Sequence, residues 1–375
     1  MSEPFVLRVG ILGAASITWQ VWDAIHHVGA VVTYVGCRDT ARGKEHVEAV
    51  CSKLGIPAEK YPSVGSYEEV IESKEVDLVY IPIPTALRHP LVLKCAEHHK
   101  HVVGEKPAAN TADEVRQWVE AMDQRQLLFM DGTMLSHSRR VKEVNATLKE
   151  LGRPVQYINV HFTFNGGEDF VAKDIRLNPV LEPQGCLGDV GWYCVRYILH
   201  LMGEAMPSEV SGRVIRRDGE HKGIVEFSGE ITFDVNGQLT VASLFCGFDA
   251  CCQHTLTAFT PDASVVLKDF AHPVVGQDAT YYVVRDKANA TSATDRHSWR
   301  EEEAHTVKDE STNSQRYDMW RHILDILYPV EEEGGRRLKA KEEESRHWAT
   351  LTWKTQAVLD KLLESALIAE QQAAQ

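Results

Sequence analysis

Three residues of this chain have the types and the spacing needed to take a proton from a hydroxyl group. Lys106 follows an apolar run in HVVGEKPAAN, and Asp189 and Tyr193 lie four residues apart in QGCLGDVGWYCVRYILH. Four residues make about one helical turn, so Asp189 and Tyr193 share a face of a helix predicted to begin near Gly188. A proton acceptor, a cation that tunes it and a hydride acceptor together oxidise a carbinol. We therefore predict Lys106, Tyr193 and Asp189 as catalytic residues.

The first predicted strand ends at a turn suited to an anion. In LRVGILGAASIT an apolar run, Leu7–Leu12, leads into Gly13, and an apolar-periodic stretch predicts a helix over Ile17–Val28. Unpaired backbone N–H groups and the helix dipole both face a pyrophosphate bound at such a turn. The dinucleotide fingerprint is degenerate, since Ala15 and Thr18 stand where glycine is usual, and a purely steric role of Gly13 is the alternative. The predicted cofactor contacts in this turn are Gly13, Ala15, Ser16 and Ile17.

The end of the second predicted strand, Val31–Cys37, favours NADP over NAD. Enzymes that prefer NAD usually carry an acid at this position, which accepts a hydrogen bond from the ribose 2′-hydroxyl. Here Cys37 takes that position, and Arg38 and Arg42 follow it. Guanidinium groups suit a phosphate, so both arginines are predicted cofactor contacts. The alternative is that Arg42 is a solvated residue of a first helical turn and Asp39 is the ribose ligand of NAD.

Length and charge exclude several classes of function. A chain of 375 residues suits two domains, and 43% hydrophobic residues indicate a globular protein. The net charge of -14 argues against nucleic acid and anionic membranes as partners. The basic cluster Arg336–Lys341 is flanked by glutamates and is predicted to be a solvated linker and helix start.

The eight cysteines are scattered without a CxxC pair, which predicts thiols in a reducing compartment. Cys95, Cys186 and Cys194 lie in apolar surroundings and are predicted to be buried. We expect a cytoplasmic protein, because no signal peptide and no stretch of membrane-spanning length is evident. The histidines of His98–His101 have no second ligand cluster at matching spacing, so we predict no metal site and place them as solvated or helix-terminal residues.

The first third of the chain alternates between strand and helix signals, which predicts a parallel sheet with right-handed helical crossovers. The predicted segments after the second strand are Ala41–Leu54, Leu78–Ile83, Leu87–His98, His101–Val103, Ala112–Asp123 and Leu127–Met130. Ligands of such sheets bind past the carboxyl ends of the strands. The polar groups at those ends are Ile83-Pro84-Thr85, Glu105-Lys106-Pro107 and Asp131-Gly132-Thr133, from which Pro84, Thr85, Glu105 and Lys106 are predicted cofactor contacts.

From about Pro154 the pattern changes to short alternating strands, which predicts a largely antiparallel sheet. A final helix is predicted from Glu342 to about Gln371, with one apolar stripe. The predicted fold is α/β: a Rossmann domain over residues 1–135, an α/β domain with a large, mostly antiparallel open sheet over 136–340, and a C-terminal helix over 341–375 that packs back on the body.

The assembled pattern resembles the Gfo/Idh/MocA oxidoreductases. The strand–Gly13 turn, VDLVYIPIPTALRHPLVLKCAEHHKHVVGEKP and GCLGDVGWY carry the resemblance, which runs over most of the chain. The order EKP followed by DxxxY is specific. Within the family, GSYEEV, GEKP and GDVGWYCVRYI are most similar to the branch of dimeric dihydrodiol dehydrogenase and NADP-dependent D-xylose dehydrogenase. The branch's paired arginines match CRDTAR, which supports NADP.

The resemblance implies roles for individual residues. Lys106 matches the lysine near the nicotinamide, and the Lys106–Pro107 bond is expected to be cis. Tyr193 takes the place of the acid/base residue, and Asp189 that of the aspartate bonded to substrate or lysine. His89 matches a histidine at the cofactor rim or with a structural role, whereas Thr85 replaces a frequent asparagine. The predicted substrate contacts are His137 and Arg176, and Arg139 and Arg140 are further candidates for the pocket.

The expected reaction moves a hydride between NADP and a hydroxyl or carbonyl group of a sugar, polyol or diol. A free tyrosine with a pKa of about 10 is about a thousandth ionised at pH 7, which costs roughly 4 kcal/mol, and a nearby ammonium lowers that cost. Tyr193 is thus the expected proton acceptor beside Lys106, although the reverse assignment stays open. A non-catalytic dinucleotide-binding regulator of the same fold and a reductase of a non-sugar carbonyl are the alternatives. We expect a homodimer that covers the open sheet.

Overall fold

The computed structural model describes residues 5–219, 222–235, 237–274, 277–290, 296–332, 335–373 and 375. The strands are β1 (Arg8–Leu12), β2 (Val31–Gly36), β3 (Ser63–Gly65), β4 (Leu78–Ile81), β5 (His101–Gly104), β6 (Phe129–Asp131), β7 (Tyr157–Asn165), β8 (Glu209–Arg217), β9 (Ile224–Val235), β10 (Gln238–Gly247), β11 (Asp249–Phe259), β12 (Ala263–Leu267), β13 (Ala279–Ala290), β14 (Arg296–Val307), β15 (Leu327–Glu332) and β16 (Gly335–Ala340). The α-helices are α1 (Thr18–His27), α2 (Thr40–Leu54), α3 (Tyr67–Glu72), α4 (His89–Glu97), α5 (Ala112–Asp123), α6 (Arg139–Glu150), α7 (Gly167–Lys173), α8 (Trp192–Leu201), α9 (Thr312–Ile326) and α10 (Glu342–Ala373).

Two compact units make up the chain. The first comprises Met1–Met134 and Arg316–Gln356, and the second comprises Leu135–Gln315 and Ala357–Gln375. The chain therefore returns to the first unit after residue 315, so α9 and α10 each contribute residues to both units.

The first unit is built on a parallel sheet with strand order β3-β2-β1-β4-β5-β6. The strands β4, β5 and β6 are buried along their whole length, as expected for strands covered on both faces, and most of their residues are apolar. The order of the strands reverses between the parallel neighbours β1 and β4, which places the carboxyl ends of these two strands at a topological switch point. The predicted parallel Rossmann sheet is confirmed.

The later part of the first unit differs from the prediction at a basic segment. The cluster Arg336–Lys341 was expected to be a solvated linker and helix start. The linker is wrong, because Gly335–Ala340 forms β16, which pairs antiparallel with β15, whereas α10 does begin at Glu342, directly after the cluster. Leu338 of this strand is buried, and its carbonyl lies 3.2 Å from Nε2 of His101. His101 is itself a buried residue of β5, so its placement as a solvated or helix-terminal histidine is also wrong.

The second unit contains a large mixed sheet with strand order β14-β13-β12-β11-β7-β10-β9-β8 over the described residues. Its pairs are antiparallel except β7 with β10, which confirms the predicted, mostly antiparallel sheet. In β7 the residues Ile158, Val160 and Phe162 are buried, whereas Tyr157, the first residue of the strand, is exposed. The buried face is the one against which α8 packs.

The residues that the structure describes include neither a candidate membrane span nor a candidate metal cluster. Of the helices that the structure describes, none combines the length and the apolar character required to cross a membrane. Among the same residues, His, Cys, Asp and Glu side chains do not gather into a group of three or more that would hold a metal ion.

Candidate active site

Gly13 forms the turn between β1 and α1. Its φ of 109° lies where residues with a side chain are strained, and a Cβ atom there would meet Cγ2 of Ile83 at 3.1 Å. Its N–H donates to the carbonyl of Gly36 at 2.7 Å, which ties the turn to the end of β2. Glycine is therefore required at this position by the backbone, whatever the turn binds.

The N-terminus of α1 that follows is open. Ile17 precedes the helix without a capping side-chain hydrogen bond within the described residues, and the first helical turn contains no acidic residue. Ser16 is exposed beside it. Free N–H groups and the positive end of a helix dipole at a glycine turn fit a pyrophosphate.

Arg38 and Arg42 lie just past β2 with exposed side chains. Neither forms an ion pair with any residue that the structure describes. Asp39 between them caps α2, because its Oδ1 accepts hydrogen bonds from the N–H groups of Ala41 at 2.9 Å and Arg42 at 3.2 Å. The alternative role of Asp39 as a ribose ligand competes with this cap, whereas two exposed guanidinium groups fit a ribose phosphate.

The loop after β4 is fixed by an arginine that the sequence analysis did not single out. Arg88 is 4% exposed, and its Nε donates to the carbonyl of Ile83 at 2.8 Å. Its NH1 donates to the carbonyls of Glu105 and Pro107. The same guanidinium therefore joins the loop that carries Pro84 and Thr85 to the loop that carries Lys106. Thr85 is buried, so the loop offers little of this side chain to a ligand.

Glu105 points into the first unit. Its Oε1 accepts a hydrogen bond from the Tyr80 hydroxyl at 2.6 Å, and its Oε2 lies 3.3 Å from the backbone nitrogen of Lys106. Burial together with the adjacent carboxylate raises the pKa of Tyr80 well above its usual value, so Tyr80 acts only as a neutral donor. The Lys106–Pro107 peptide bond is cis, as expected. The carboxylate of Glu105 thus positions the backbone of Lys106.

His89, the first residue of α4, is bonded within the first unit. Trp118 Nε1 donates to His89 Nδ1 at 3.0 Å, and the two rings stack with centroids 6.1 Å apart. A neutral imidazole that accepts at Nδ1 carries its proton on Nε2. The structure therefore supports a structural role for His89. Its Nε2–H group remains as a hydrogen-bond donor for the cofactor rim.

In the second unit Tyr193 lies among aromatic rings. It is 5% exposed at the start of α8, with ring centroids 5.7 Å from Phe162 and 5.4 Å from His272. His254 lies 5.8 Å from Phe162 and 6.4 Å from His272, and burial lowers the pKa of His254. Two imidazoles therefore surround the same ring cluster as the predicted catalytic tyrosine.

Asp189 lies in a π-helical turn, Leu187–Gly191, directly before α8, instead of in the α-helix expected from Gly188. Its Oδ2 lies 3.1 Å from Nε of Arg176. The charge of Asp189 is the largest cause that raises the pKa of Arg176. Gly185 permits the approach to this turn, because its φ is 51° and a Cβ there would lie 2.5 Å from the Ile224 carbonyl. The structure thus brings together two residues predicted separately, as catalytic and as substrate contact.

The remaining pocket candidates are mostly engaged inside the second unit. His137 ends a short 3₁₀ helix and is buried. Arg140 is fully buried, with NH1 2.5 Å from Asp269 Oδ1, and Arg139 donates to the carbonyl of Lys308 at 2.7 Å. This buried ion pair supports a structural role for Arg140, whereas its expected place in the pocket stays a prediction.

Comparison with known proteins places the chain in a family. A sequence model described as "Oxidoreductase family, NAD-binding Rossmann fold" (GFO_IDH_MocA) matches residues 7–133. The D-xylose 1-dehydrogenase (NADP(+)) 2 of Haloferax volcanii is 30% identical over 232 residues, which cover 60% of this chain and 67% of that protein. The chain belongs to the Gfo/Idh/MocA oxidoreductase family. The predicted family resemblance is confirmed.

Other Gfo/Idh/MocA relatives are more distant. The dTDP-3,4-didehydro-2,6-dideoxy-alpha-D-glucose 3-reductase of Saccharopolyspora spinosa is 28% identical over 247 residues, 64% of this chain and 68% of that protein. The trans-1,2-dihydrobenzene-1,2-diol dehydrogenase of Bos taurus is 29% identical over 210 residues, 55% of this chain and 58% of that protein. The chain thus matches less than two thirds of the bovine enzyme.

Solved structures share the fold over nearly the whole chain. A 3-ketoreductase from Actinomadura kijaniata, in complex with NADP and TDP-benzene, has a TM-score of 0.76 at 17% identity and covers 96% of this chain and 98% of its own. An aldose–aldose oxidoreductase from Caulobacter crescentus complexed with glycerol has a TM-score of 0.72 at 18% identity, covering 97% and 98%. At these identities the likeness concerns the Gfo/Idh/MocA fold alone.

Proposed function

We propose that this protein is an NADP-dependent oxidoreductase that transfers a hydride between the cofactor and a hydroxyl or carbonyl group of a sugar, polyol or diol. One observation favours a catalytic function over a protein that only binds the cofactor. Tyr193 lies in a cluster with two imidazoles, and Asp189, one turn earlier, is paired with Arg176. Titratable side chains gathered around a largely buried tyrosine ring are typical of proton-transfer sites.

NADP is the proposed cofactor, and the residues of the first unit fit it. Gly13 supplies the backbone cradle, which a Cβ would fill, and the open N-terminus of α1 supplies N–H groups for the pyrophosphate. The exposed guanidinium groups of Arg38 and Arg42 would hold the 2′-phosphate. Two relatives named above, from Haloferax volcanii and Actinomadura kijaniata, are described with NADP.

In the proposed reaction, Tyr193 takes the proton of the substrate hydroxyl during oxidation and returns it during reduction. Lys106 holds the same oxygen and stabilises its developing negative charge, because an ammonium favours an adjacent alkoxide or phenolate. Asp189 orients a second hydroxyl group of the substrate, and Arg176 in turn orients Asp189. Bound NADP supplies the hydride acceptor at C4 of the nicotinamide. Arg88 positions Lys106 through the backbone of its loop.

The proposed substrate class rests on the surroundings of Tyr193. The cluster around Tyr193 combines the apolar ring of Phe162 with the imidazole rings of His254 and His272. Apolar rings with a few polar groups suit a polyhydroxylated ring or a vicinal diol. The relatives described above act on a pentose, a deoxysugar and a dihydrodiol, which supports the same class.

The test is an assay of NADPH absorbance with purified protein and a panel of aldoses, polyols, trans-dihydrodiols and dicarbonyl compounds. We expect turnover of at least one class with NADP(H), and much slower turnover with NAD(H). Tight binding of NADP(H) without turnover of any compound would instead favour a dinucleotide-binding regulator. Failure to bind either cofactor would contradict both functions.

We also propose that the protein is a homodimer located in the cytoplasm. The sheet of the second unit exposes the rings of Tyr157 and Phe259, whose centroids are 6.0 Å apart, together with Leu239. A second copy would bury these side chains. Sedimentation of wild type and of Tyr157→Glu tests the homodimer, because a charge in this contact should shift the protein toward the monomer. All eight cysteines are free thiols, which supports a reducing compartment.

A further inference from the structure

Thr18 occupies the third glycine position of the dinucleotide fingerprint, and the Thr18 hydroxyl forms two hydrogen bonds. Thr18 is fully buried, and its Oγ1 donates to the Ala15 carbonyl at 2.7 Å. The same oxygen lies 2.6 Å from Nε2 of His46, a residue of α2. Because the single hydroxyl proton goes to Ala15, His46 must be the donor to Thr18. A chain of two hydrogen bonds therefore runs from α2 to the turn.

His46 connects the two places where phosphates are proposed to bind. Arg42 lies one helical turn before His46 on α2, so both side chains share a face of that helix. The charge of Arg42 reaches His46, where it adds to burial in lowering the imidazole pKa. At the other end of the chain of bonds, Ala15 belongs to the turn proposed for the pyrophosphate.

We propose that Thr18 and His46 are a positioning pair that fixes the cofactor turn in place of the missing third glycine. A glycine at this position allows helix and strand to approach closely, and here a buried hydroxyl held by α2 defines the same turn. The pair acts on the turn shared by NADP and NAD. Arg42 acts only on the 2′-phosphate of NADP. This inference rests on the proposed cofactor function.

The experiment measures dissociation constants of NADP and NAD by quenching of protein fluorescence, in the full chain. In His46→Phe we expect both affinities to fall by about three- to tenfold, the loss of one to two neutral hydrogen bonds. In Arg42→Ala only the NADP affinity falls. His46→Gln, whose amide nitrogen is a donor, recovers most of the loss.

Thr18 provides the matched pair of variants. Thr18→Ser keeps the hydroxyl and is expected to bind both cofactors as wild type does, whereas Thr18→Val keeps the shape and weakens both. Combining Thr18→Val with His46→Phe adds little further loss, because both variants break the same chain of bonds. The control is His98→Phe, at an exposed histidine after α4.

The outcomes separate this inference from the proposed function. If wild type binds neither cofactor, the proposed function fails and the inference fails with it. If wild type binds NADP and His46→Phe and Thr18→Val bind both cofactors equally well, only the positioning pair is overturned. A loss in His46→Phe that is confined to NADP also overturns it, because the turn would then be unaffected.

Discussion

Arg176 holds Asp189 by an ion pair of 3.1 Å between Nε and Oδ2, while its NH1 lies 3.1 and 3.3 Å from the two carboxylate oxygens of Asp174. One guanidinium thus bridges two carboxylates just before the helix that carries Tyr193. Arg176 was predicted to contact substrate, and its geometry supports a role in positioning Asp189 instead. The planar fork of arginine suits this bridge, whereas lysine is a point charge.

Arg176→Met is expected to lower kcat/KM by about tenfold or more, because Asp189 loses the ion pair that positions its carboxylate. Arg176→Lys should recover only part of the activity, since one ammonium cannot make both contacts in the same geometry. Steady-state kinetics with the substrate found in the panel give the values. The control is Arg153→Met, at an exposed arginine, and an Arg176→Met enzyme as active as this control would show that the ion pair is dispensable.

Arg88→Met is expected to destabilise the protein by about 3 kcal/mol, because two buried carbonyl groups and one partly buried carbonyl group lose this donor. Urea unfolding measures the change in the free energy of unfolding. Activity should fall further than stability explains, since the loop of Lys106 loses its tie to the loop after β4. Unchanged stability in Arg88→Met would refute the assigned role of these hydrogen bonds.

Replacing Arg38 and Arg42 together by alanine is expected to weaken NADP binding by about ten- to a hundredfold, as for charged hydrogen bonds. The affinity for NAD should change by less than about threefold, because NAD lacks the 2′-phosphate. Fluorescence titration with each cofactor measures both. Arg116→Ala, which removes an exposed arginine paired with Asp113 on α5, serves as the control. Equal losses of affinity for both cofactors would mean that the two arginines do not recognise the 2′-phosphate specifically.

His101 is expected to make stability depend on pH. It is 1% exposed, its Nδ1 accepts the N–H of Leu128 at 2.9 Å, and burial lowers its pKa from 6.5 to about 4. Between these values the unfolded chain binds a proton that the folded chain does not, so the free energy of unfolding rises with pH. From pH 6.5 down to pH 4 the loss is about 3 kcal/mol.

Urea unfolding at several pH values tests this prediction in wild type and His101→Gln. The variant should have a flatter dependence over that window, together with a lower stability at neutral pH because the amide fits the two backbone partners less well. His98→Gln, at an exposed histidine, should keep the wild-type slope. A slope unchanged by His101→Gln would assign the pH dependence to other groups.

The fold was largely predictable because burial leaves a direct trace in sequence. Strands such as β4 are covered on both faces and read as apolar runs, while β7 alternates because only one of its faces is buried. The helix α3 was missed since it has six residues, although its capping box of Ser66 and Glu69 is a readable signal. The strand β14 was missed because its exposed run of glutamates lacks an apolar face.

The site was less predictable, because its supports act over long distances in sequence. Lys106 and Tyr193 stand in recognisable motifs, whereas Arg88 bonds carbonyls that only the folded loops bring near. Tyr80 reads as a core strand residue, and its bond to Glu105 has no signature. His272 likewise lies far along the chain from Tyr193, whose ring it contacts. Pairing of this kind is a property of the fold and not of any local pattern.

Two tyrosines of α8 allow proton transfer by Tyr193 to be tested against a matched control. Tyr193→Phe removes the proposed proton acceptor, whereas Tyr197→Phe removes a buried hydroxyl one turn later that has no hydrogen-bond partner among the described residues. Both changes delete one oxygen from the same helix, so they make a matched pair. NADPH absorbance with the substrate found in the panel, and NADP affinity measured alongside, are the readouts.

We predict that Tyr193→Phe lowers kcat by at least about a hundredfold, as for loss of a general acid–base residue, while NADP affinity stays near that of wild type. Tyr197→Phe should turn over at nearly the wild-type rate. A Tyr193→Phe enzyme that keeps the activity of Tyr197→Phe would contradict proton transfer by Tyr193.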